Sequence, residues 1–295
     1  MSHPVYPYGL YEKQSMLEFP VKESYVNYSD YSQFDRIVEP NTILWIDYFW
    51  RAVHIFARTY EPVDDSIKRS YICFYKSMIG ILPSMDMRQI IQNFITMTNE
   101  VRNVLLENKE LSSFFLVHKT IHYELSQNPD RFFINSLKDS DSLFAWSYLL
   151  HSYYNIIARI PIESFNATKS MYDKTQISKE SWANPIWAII HFCTLYAPYK
   201  IDKNFNTCYK AFLSCLRYCL PCPKCRKHLE DNLSALDIDN YMLTNESLFD
   251  YSVKLHNMVN KQLGKPIISI EDAKKIYDPY RQPSIQQNAK FSYRY

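Results

Sequence analysis

Three glycines in 295 residues, against an average usage of about 7%, leave almost no place for turns that need positive φ. A Gly-rich dinucleotide loop and a hairpin-rich β-fold are both excluded on that ground. Long apolar runs are missing as well. No stretch approaches the roughly 20 residues that span a bilayer, and Met1-Ser-His-Pro-Val-Tyr lacks the charged and apolar segments of a signal peptide. Charge of one sign is also lacking: 33 Lys and Arg against 31 Asp and Glu give a formal net charge of +2. That field is too weak to gather nucleic acid or a membrane surface. The expectation is an intracellular protein with no membrane span and no nucleic-acid partner.

Aromatic side chains and clustered sulfur fill the composition instead. Tyr 25 and Phe 17 supply large amphipathic surfaces for helix packing. Of the seven cysteines (73, 193, 208, 215, 219, 222 and 225), six fall within 33 residues. A secreted disulfide framework is scattered more evenly, so this clustering points to metal or redox chemistry.

Residues 1–40 are Tyr-rich and without sustained periodicity, and read as an N-terminal arm; residues 279–295 read as a tail. Between them the pattern is helical, which makes the fold class all-α. Trp187, Ile190, His191 and Leu195 follow the 3.6-residue period, as do Cys208, Phe212, Cys215 and Cys219. A further helix over about 248–263 is stopped by Gly264 and Pro266. Ser269-Ile270-Glu271-Asp272 resembles a capping box that opens a last short helix.

The first half repeats this plan. Trp45, Trp50 and His54 stand 137 positions before Trp182, Trp187 and His191, and Leu82-Pro83-Ser84 stands 138 before Leu220-Pro221-Cys222. His118, His122 and Leu125 fall opposite His256, Asn260 and Leu263 at the same offset. The expected organisation is therefore a degenerate helical unit at 41–139 and a connecting helix and linker at 140–178. An active unit at 179–278 completes it. Ser84 and Met87 occupy the sulfur positions in the first unit and cannot form a disulfide.

Cys222-Pro223-Lys224-Cys225 is the centre of the chemistry. Pro221 is well tolerated at a first helical position, and a helix start stabilises a thiolate, with Lys224, Arg226 and Lys227 adding positive charge. A pair so placed can attack, and be attacked by, other sulfurs. Cys219, Cys222, Cys225 and His228 also read as a Cys3His zinc set, although ligands of a structural zinc usually come from two separated segments. His256, Asn257 and Asn260 lie inside a helix despite modest propensity, so the face they share meets something polar, either a core network or a cofactor.

In this set the chain resembles the Erv/ALR family of flavin-dependent sulfhydryl oxidases. The likeness runs through Trp187-x-x-x-His191, Phe212-x-x-x-Leu216 and Pro221-Cys222-x-x-Cys225-x-x-His228. It ends in His256-Asn257-x-Val259-Asn260-x-x-Leu263-Gly264-Lys265-Pro266, and covers about a third of the chain. It implies a four-helix bundle with a short fifth helix, holding FAD noncovalently beside the cysteine pair. Trp187, His191, His228, His256, Asn257, Asn260 and Lys265 would contact the cofactor, with Trp182, Tyr196, Val259 and Lys261 as further contacts. Cys225 would lie next to the flavin and Cys222 would face incoming thiols, no metal being involved. The implied activity passes electrons from protein dithiols to oxygen, with hydrogen peroxide as product. The composition is most similar to members encoded by large DNA viruses of the baculovirus type. That implies the host cytoplasm or nucleus, and the virion, as its place. A first unit without sulfurs resembles the pseudo-oxidase domain of quiescin-type oxidases, covering the surface that smaller relatives use to dimerise and leaving a monomer or a dimer through another surface.

Departures from the family pattern concern thiol delivery. Val253 and Ile270 stand where a second disulfide is usual, Tyr251 stands for a Trp, and neither terminal arm holds a second C-x-x-C. Cys193, Cys208, Cys215 and Cys219 are either relay thiols or core residues. A zinc-binding or catalytically inactive helical module is the alternative reading of the whole chain.

Overall fold

The computed structural model describes residues 42–277, so the arm at 1–40 and the tail at 279–295 lie outside the described residues. Among those described there are fourteen α-helices and no strand. In chain order they are α1 Thr42–Arg58, α2 Asp65–Ile81, α3 Met85–Thr96, α4 Asn99–Glu107, α5 Ser112–Val117, α6 Lys119–Gln127 and α7 Phe132–Ser136. There follow α8 Ser140–Ala158, α9 Phe165–Met171, α10 Lys179–Leu195, α11 Lys203–Cys219, α12 Pro223–Ala235, α13 Asn245–Gln262 and α14 Ile270–Tyr277. The last five are the four-helix bundle and short fifth helix that the resemblance implies.

Local chemistry sets the boundaries. Asp64 and Asp202 accept backbone N–H bonds at the starts of α2 and α11, and Asp139 does so for α8. Thr244 and Ser247 cap α13 reciprocally. After α13, Gly264 takes the left-handed conformation at φ 65°, which a residue without Cβ adopts freely. After α8 the same turn falls on Arg159 at φ 58°, where an L side chain costs about 1–2 kcal/mol.

The helices repeat in space with a change of register. α1 precedes α10 by 137 positions at both ends, and α2 precedes α11 by 138. α8 and α9, however, begin 105 positions before α13 and α14. The helices α4–α7 intervene, 33 residues without a counterpart, and they spoil any search at one fixed offset. This corrects the expected alignment of His118 and His122. His118 lies between α5 and α6 against Phe114 (4.5 Å) and Phe165 (4.8 Å), and His122 packs on Phe115. The stretch at 140–178 is likewise no connector, since α8 packs along α1 as α13 packs along α10.

Counterpart packs on counterpart across the middle of the molecule. α1 lies on α10 and α2 on α11, and Phe74 stacks on Phe212 at 5.6 Å and 25°, two residues separated by the same 138 positions. Each of these helices thus packs on the one that stands 137 or 138 positions from it. Trp45, Phe49, Phe74, Phe94, Trp146, Tyr209 and Phe212, all essentially excluded from solvent, belong to one continuous apolar core that spans both halves. Cys73 of α2 and Cys215 of α11 are joined by a disulfide with Cα atoms 6.3 Å apart. On chain entropy, a loop of 142 residues closed in this way is worth about 5 kcal/mol.

Candidate active site

Cys222 is the N-cap of α12, with Pro223 at the first helical position. The helix therefore begins two residues later than Pro221. The backbone N–H of Cys225 points at Cys222 Sγ from 3.2 Å, and the two sulfurs are bonded to each other, Cα–Cα 5.1 Å. A thiolate released at Cys222 would sit on unsatisfied N–H groups at the positive end of the helix dipole, which lowers a thiol pKa. Less of the nearby charge is free than the sequence suggests. Arg226 Nε donates to Leu220 O at 2.6 Å, and Lys227 is paired with Glu230 and Asp231. Cys219 is fully buried and burial pushes its thiol well above 9. Among the described residues no group of three or more His, Cys, Asp or Glu side chains is placed to hold a metal ion.

Cys225 opens onto a cleft between α10, α12 and α13. Trp182, Trp187, His228, His256, Val259, Asn260 and Lys265 line it, as the sequence proposes. Four proposed residues do not. His191 is buried behind His256, and Tyr196 stacks on Phe192 at 6.1 Å. Asn257 turns to the loop after α13, donating to Ile268 O (2.7 Å) and accepting from Ile268 N (3.0 Å). Lys261 is exposed and outside the lining. Lys179, Ala183, Ile186 and Ile190 do line the cleft. They share one face of α10 with Trp182 and Trp187, and that i, i+3, i+4 stripe was readable from sequence.

Hydrogen bonds fix the protonation of the cleft wall. Ser252 Oγ donates to Phe249 O at 2.7 Å, so it accepts from His191 Nδ1, 2.9 Å away. His191 Nε2 then accepts from His256 Nδ1 at 3.0 Å, which leaves His256 Nε2 as a bare acceptor. Trp187 stacks on His256 at 4.0 Å and 4°. Burial, and secondarily Lys265, brings His256 down to about 4; burial and His256 bring His191 to about 3. Both rings are therefore neutral at pH 7.

The same framework stands in the first half. His54 meets Ser147 and His151 at 3.0 Å each, and Trp50 stacks on His151 at 4.1 Å and 10°. His54 and Tyr172 repeat the 5.0 Å, 42° contact of His191 and Tyr277. Burial and His151 hold His54 well below its usual range, and burial brings His151 to about 4. Around that framework the chemistry differs. Ser84 Oγ caps α3 as Cys222 caps α12, Met87 stands for Cys225, Ile90 for His228 and Ile160 for Lys265. Tyr154 stands where α13 has Val259, and its ring lies 5.4 Å from Trp50.

Four histidines with depressed folded pKa values give a stability prediction. The unfolded chain binds protons near pH 6.5 that the folded chain refuses, so stability is full above about 6.5 and falls as pH drops towards 4. Each refused proton contributes a slope of about 1.4 kcal/mol per pH unit. Urea unfolding between pH 7 and 5 should show the midpoint falling with a slope of more than one proton. A flat profile would contradict the neutral pairs.

The Erv1/Alr family model matches residues 184–278, a segment that begins inside α10. An African swine fever virus protein named FAD-linked sulfhydryl oxidase is 36% identical over 101 residues, covering 33% of this chain and 80% of the relative. A protein of Acanthamoeba polyphaga mimivirus, named probable FAD-linked sulfhydryl oxidase, is 30% identical over 98 residues, covering 33% of this chain and 68% of the relative. No solved structure gives a significant match. Among the described residues no helix is long and apolar enough to cross a membrane.

Proposed function

The chain belongs to the Erv1/Alr family, and from that premise we propose that Cys222 and Cys225 carry electrons from protein dithiols to FAD held in the cleft of the C-terminal bundle. The chain is a flavin-dependent thiol oxidase. The observation that carries the site assignment is Cys225: of the two bonded sulfurs, its residue alone lines the cleft.

The cleft fits a flavin. The Trp187–His256 stack makes an aromatic wall, and the half-buried Lys179 and the exposed Lys265 bring positive charge to its rim. His256 Nε2 and Asn260 supply neutral hydrogen-bonding groups. FAD, when bound, supplies the two-electron acceptor between the cysteine pair and oxygen. Trp182, Trp187, His228, His256, Val259, Asn260 and Lys265 would hold it, while His191 sets the tautomer of His256 and Asn257 fastens the loop that presents Lys265.

The protein's own part is sulfur chemistry. A substrate thiolate attacks Cys222 Sγ and the Cys222–Cys225 bond breaks, releasing a thiolate at Cys225. A second substrate thiolate attacks the mixed disulfide, and Cys222 leaves with the negative charge held at the helix start. The substrate is oxidised by two electrons and the cysteine pair is reduced by two.

The N-terminal half we read as a pseudo-oxidase unit. It keeps the Trp–His–His–Ser framework, lacks both sulfurs, and occupies the face of α10 and α11 that a second copy would otherwise cover. The test is the purified full chain. It should be yellow with one flavin per chain, should consume oxygen with dithiothreitol, and should not dimerise through α10 and α11 in light scattering with site-directed cross-linking. A colourless protein, or two flavins per chain, would overturn this reading.

A further inference from the structure

The Cys73–Cys215 disulfide has no part in the sulfur route just described. Its position breaks the internal symmetry. The counterparts of Cys73 and Cys215, at an offset of 138 positions, are Ala211 and Ser77, so the bond is made once across the α2–α11 packing where symmetry would place two. It is also not a carrier. Cys73 sits in the middle of α2 and Cys215 in the C-terminal half of α11, two long helices packed on each other, with Phe74 stacked on Phe212 one residue and three residues away respectively. Cys215 is held in α11 against α2, while Cys222 stands beyond the end of α11 at the start of another helix and is bonded to Cys225. Cys219 lies between them but is wholly excluded from solvent, out of reach of an incoming thiol, and burial also pushes its thiol pKa up. The bond is thus a product of oxidation rather than a conduit for it.

Both cysteine residues of the bond are half-buried rather than sealed, as is Cys222 at the N-cap of α12, beside the exposed Pro223 and Lys224. We propose that the reduced Cys73 and Cys215 pair is itself a substrate: the Cys222–Cys225 centre of one copy makes the staple in another, so that the protein matures its own fold. This rests on the oxidase reading above. In the step, the Cys73 thiolate of the reduced copy bonds to Cys222 of the oxidised copy, and Cys225 leaves as a thiolate. The Cys215 thiolate then attacks Cys73 and releases Cys222. The staple forms, the donor loses two electrons and two protons, and the centre that gained them is restored by its ordinary turnover.

The experiment uses full-length C222S/C225S, which retains five of the seven cysteines. It is fully reduced, freed of reductant without oxygen, and then given one-hundredth of its concentration of oxidised wild-type protein in air. Maleimide labelling of denatured samples should fall from five thiols to three, at least tenfold faster than without wild type, with Cys73 and Cys215 linked in the peptide map. C73A/C222S/C225S should lose none. Equal rates with and without wild type would overturn the proposal, as would a different pair in the map. Oxygen uptake with dithiothreitol, measured on the same wild-type sample, separates the two failures. No uptake brings down the oxidase reading and this one together, whereas uptake without faster stapling brings down this one alone. If the double variant does not fold, reduced wild-type chain re-oxidised at two dilutions serves instead. A rate per chain that rises with concentration supports transfer between copies, and one independent of concentration overturns it.

Discussion

Cys225→Ser is expected to lower oxygen consumption with any dithiol at least about 1,000-fold, a barrier increase of about 4 kcal/mol, while the protein stays yellow. The separation of the two effects follows from the geometry. Cys225 is one of seventeen residues lining the cleft, so one oxygen for one sulfur leaves the binding surface nearly intact. Its sulfur is the one atom joining the cleft to the exchange site, and a hydroxyl cannot accept electrons by thiol–disulfide exchange. Cys222→Ser should stop turnover to a similar extent, but the two variants should differ in the reactivity of the thiol that remains. In Cys225→Ser the survivor is Cys222, held outside the cleft at the N-cap where a thiolate is favoured. In Cys222→Ser the survivor faces the cleft, behind bound cofactor. Iodoacetamide should therefore alkylate the first at least tenfold faster than the second at pH 7. Equal rates, or a reversed order, would show that the roles assigned to the two sulfurs are wrong even if both variants are dead.

What sequence could and could not give follows from how each feature is encoded. Cys225 of the C-x-x-C pair, the Trp stripe of α10 and the His256–Asn260 stripe of α13 belong to short-range patterns, and each lines the cleft because helical periodicity decides which face a residue takes. Asn257 sits on that helix too, but its amide can satisfy two backbone groups of the loop at Ile268, and a hydrogen-bond choice of that kind leaves no periodic trace. The first half shows the same limit on a larger scale. His54 stands at the constant offset of α1 from α10, but its partner is His151 rather than His118 or His122, because α4–α7 shift the register by 33 residues. The contact itself is unchanged to about a tenth of an ångström. Packing constrains which side chains meet, while a surface insertion between helices is nearly neutral. The staple could not be read at all: connectivity among seven cysteines is not written in their spacing.

Val259→Tyr should empty the flavin site, and the chain's first half supplies the reason. α8 and α13 carry the same His-x-x-x-Asn frame in the same relation to a Trp and a buried His, through His151 and Asn155 in one and His256 and Asn260 in the other. Between those two residues stand Tyr154 and Val259. With Tyr at that position Trp50 is 4% exposed and the Tyr154 ring lies 5.4 Å from it, whereas with Val the wall between Trp187, His256 and Asn260 is open as part of the cleft. The change adds a whole ring to the space a flavin would take. Tyr154 also shows that the backbone of such a helix tolerates it, so the fold should survive. The expected result is a colourless protein with an unchanged far-ultraviolet circular dichroism spectrum, no oxygen uptake with thiols, and flavin affinity weakened at least 100-fold, about 2.7 kcal/mol. Val259→Ile, which adds one methylene, should keep most of the flavin. Tyr154→Val alone should not create a second flavin site, because Ile160 and Ile90 still replace Lys265 and His228. A Val259→Tyr protein that stayed yellow would mean that the flavin does not lie against α13, and the cleft would lose its assignment.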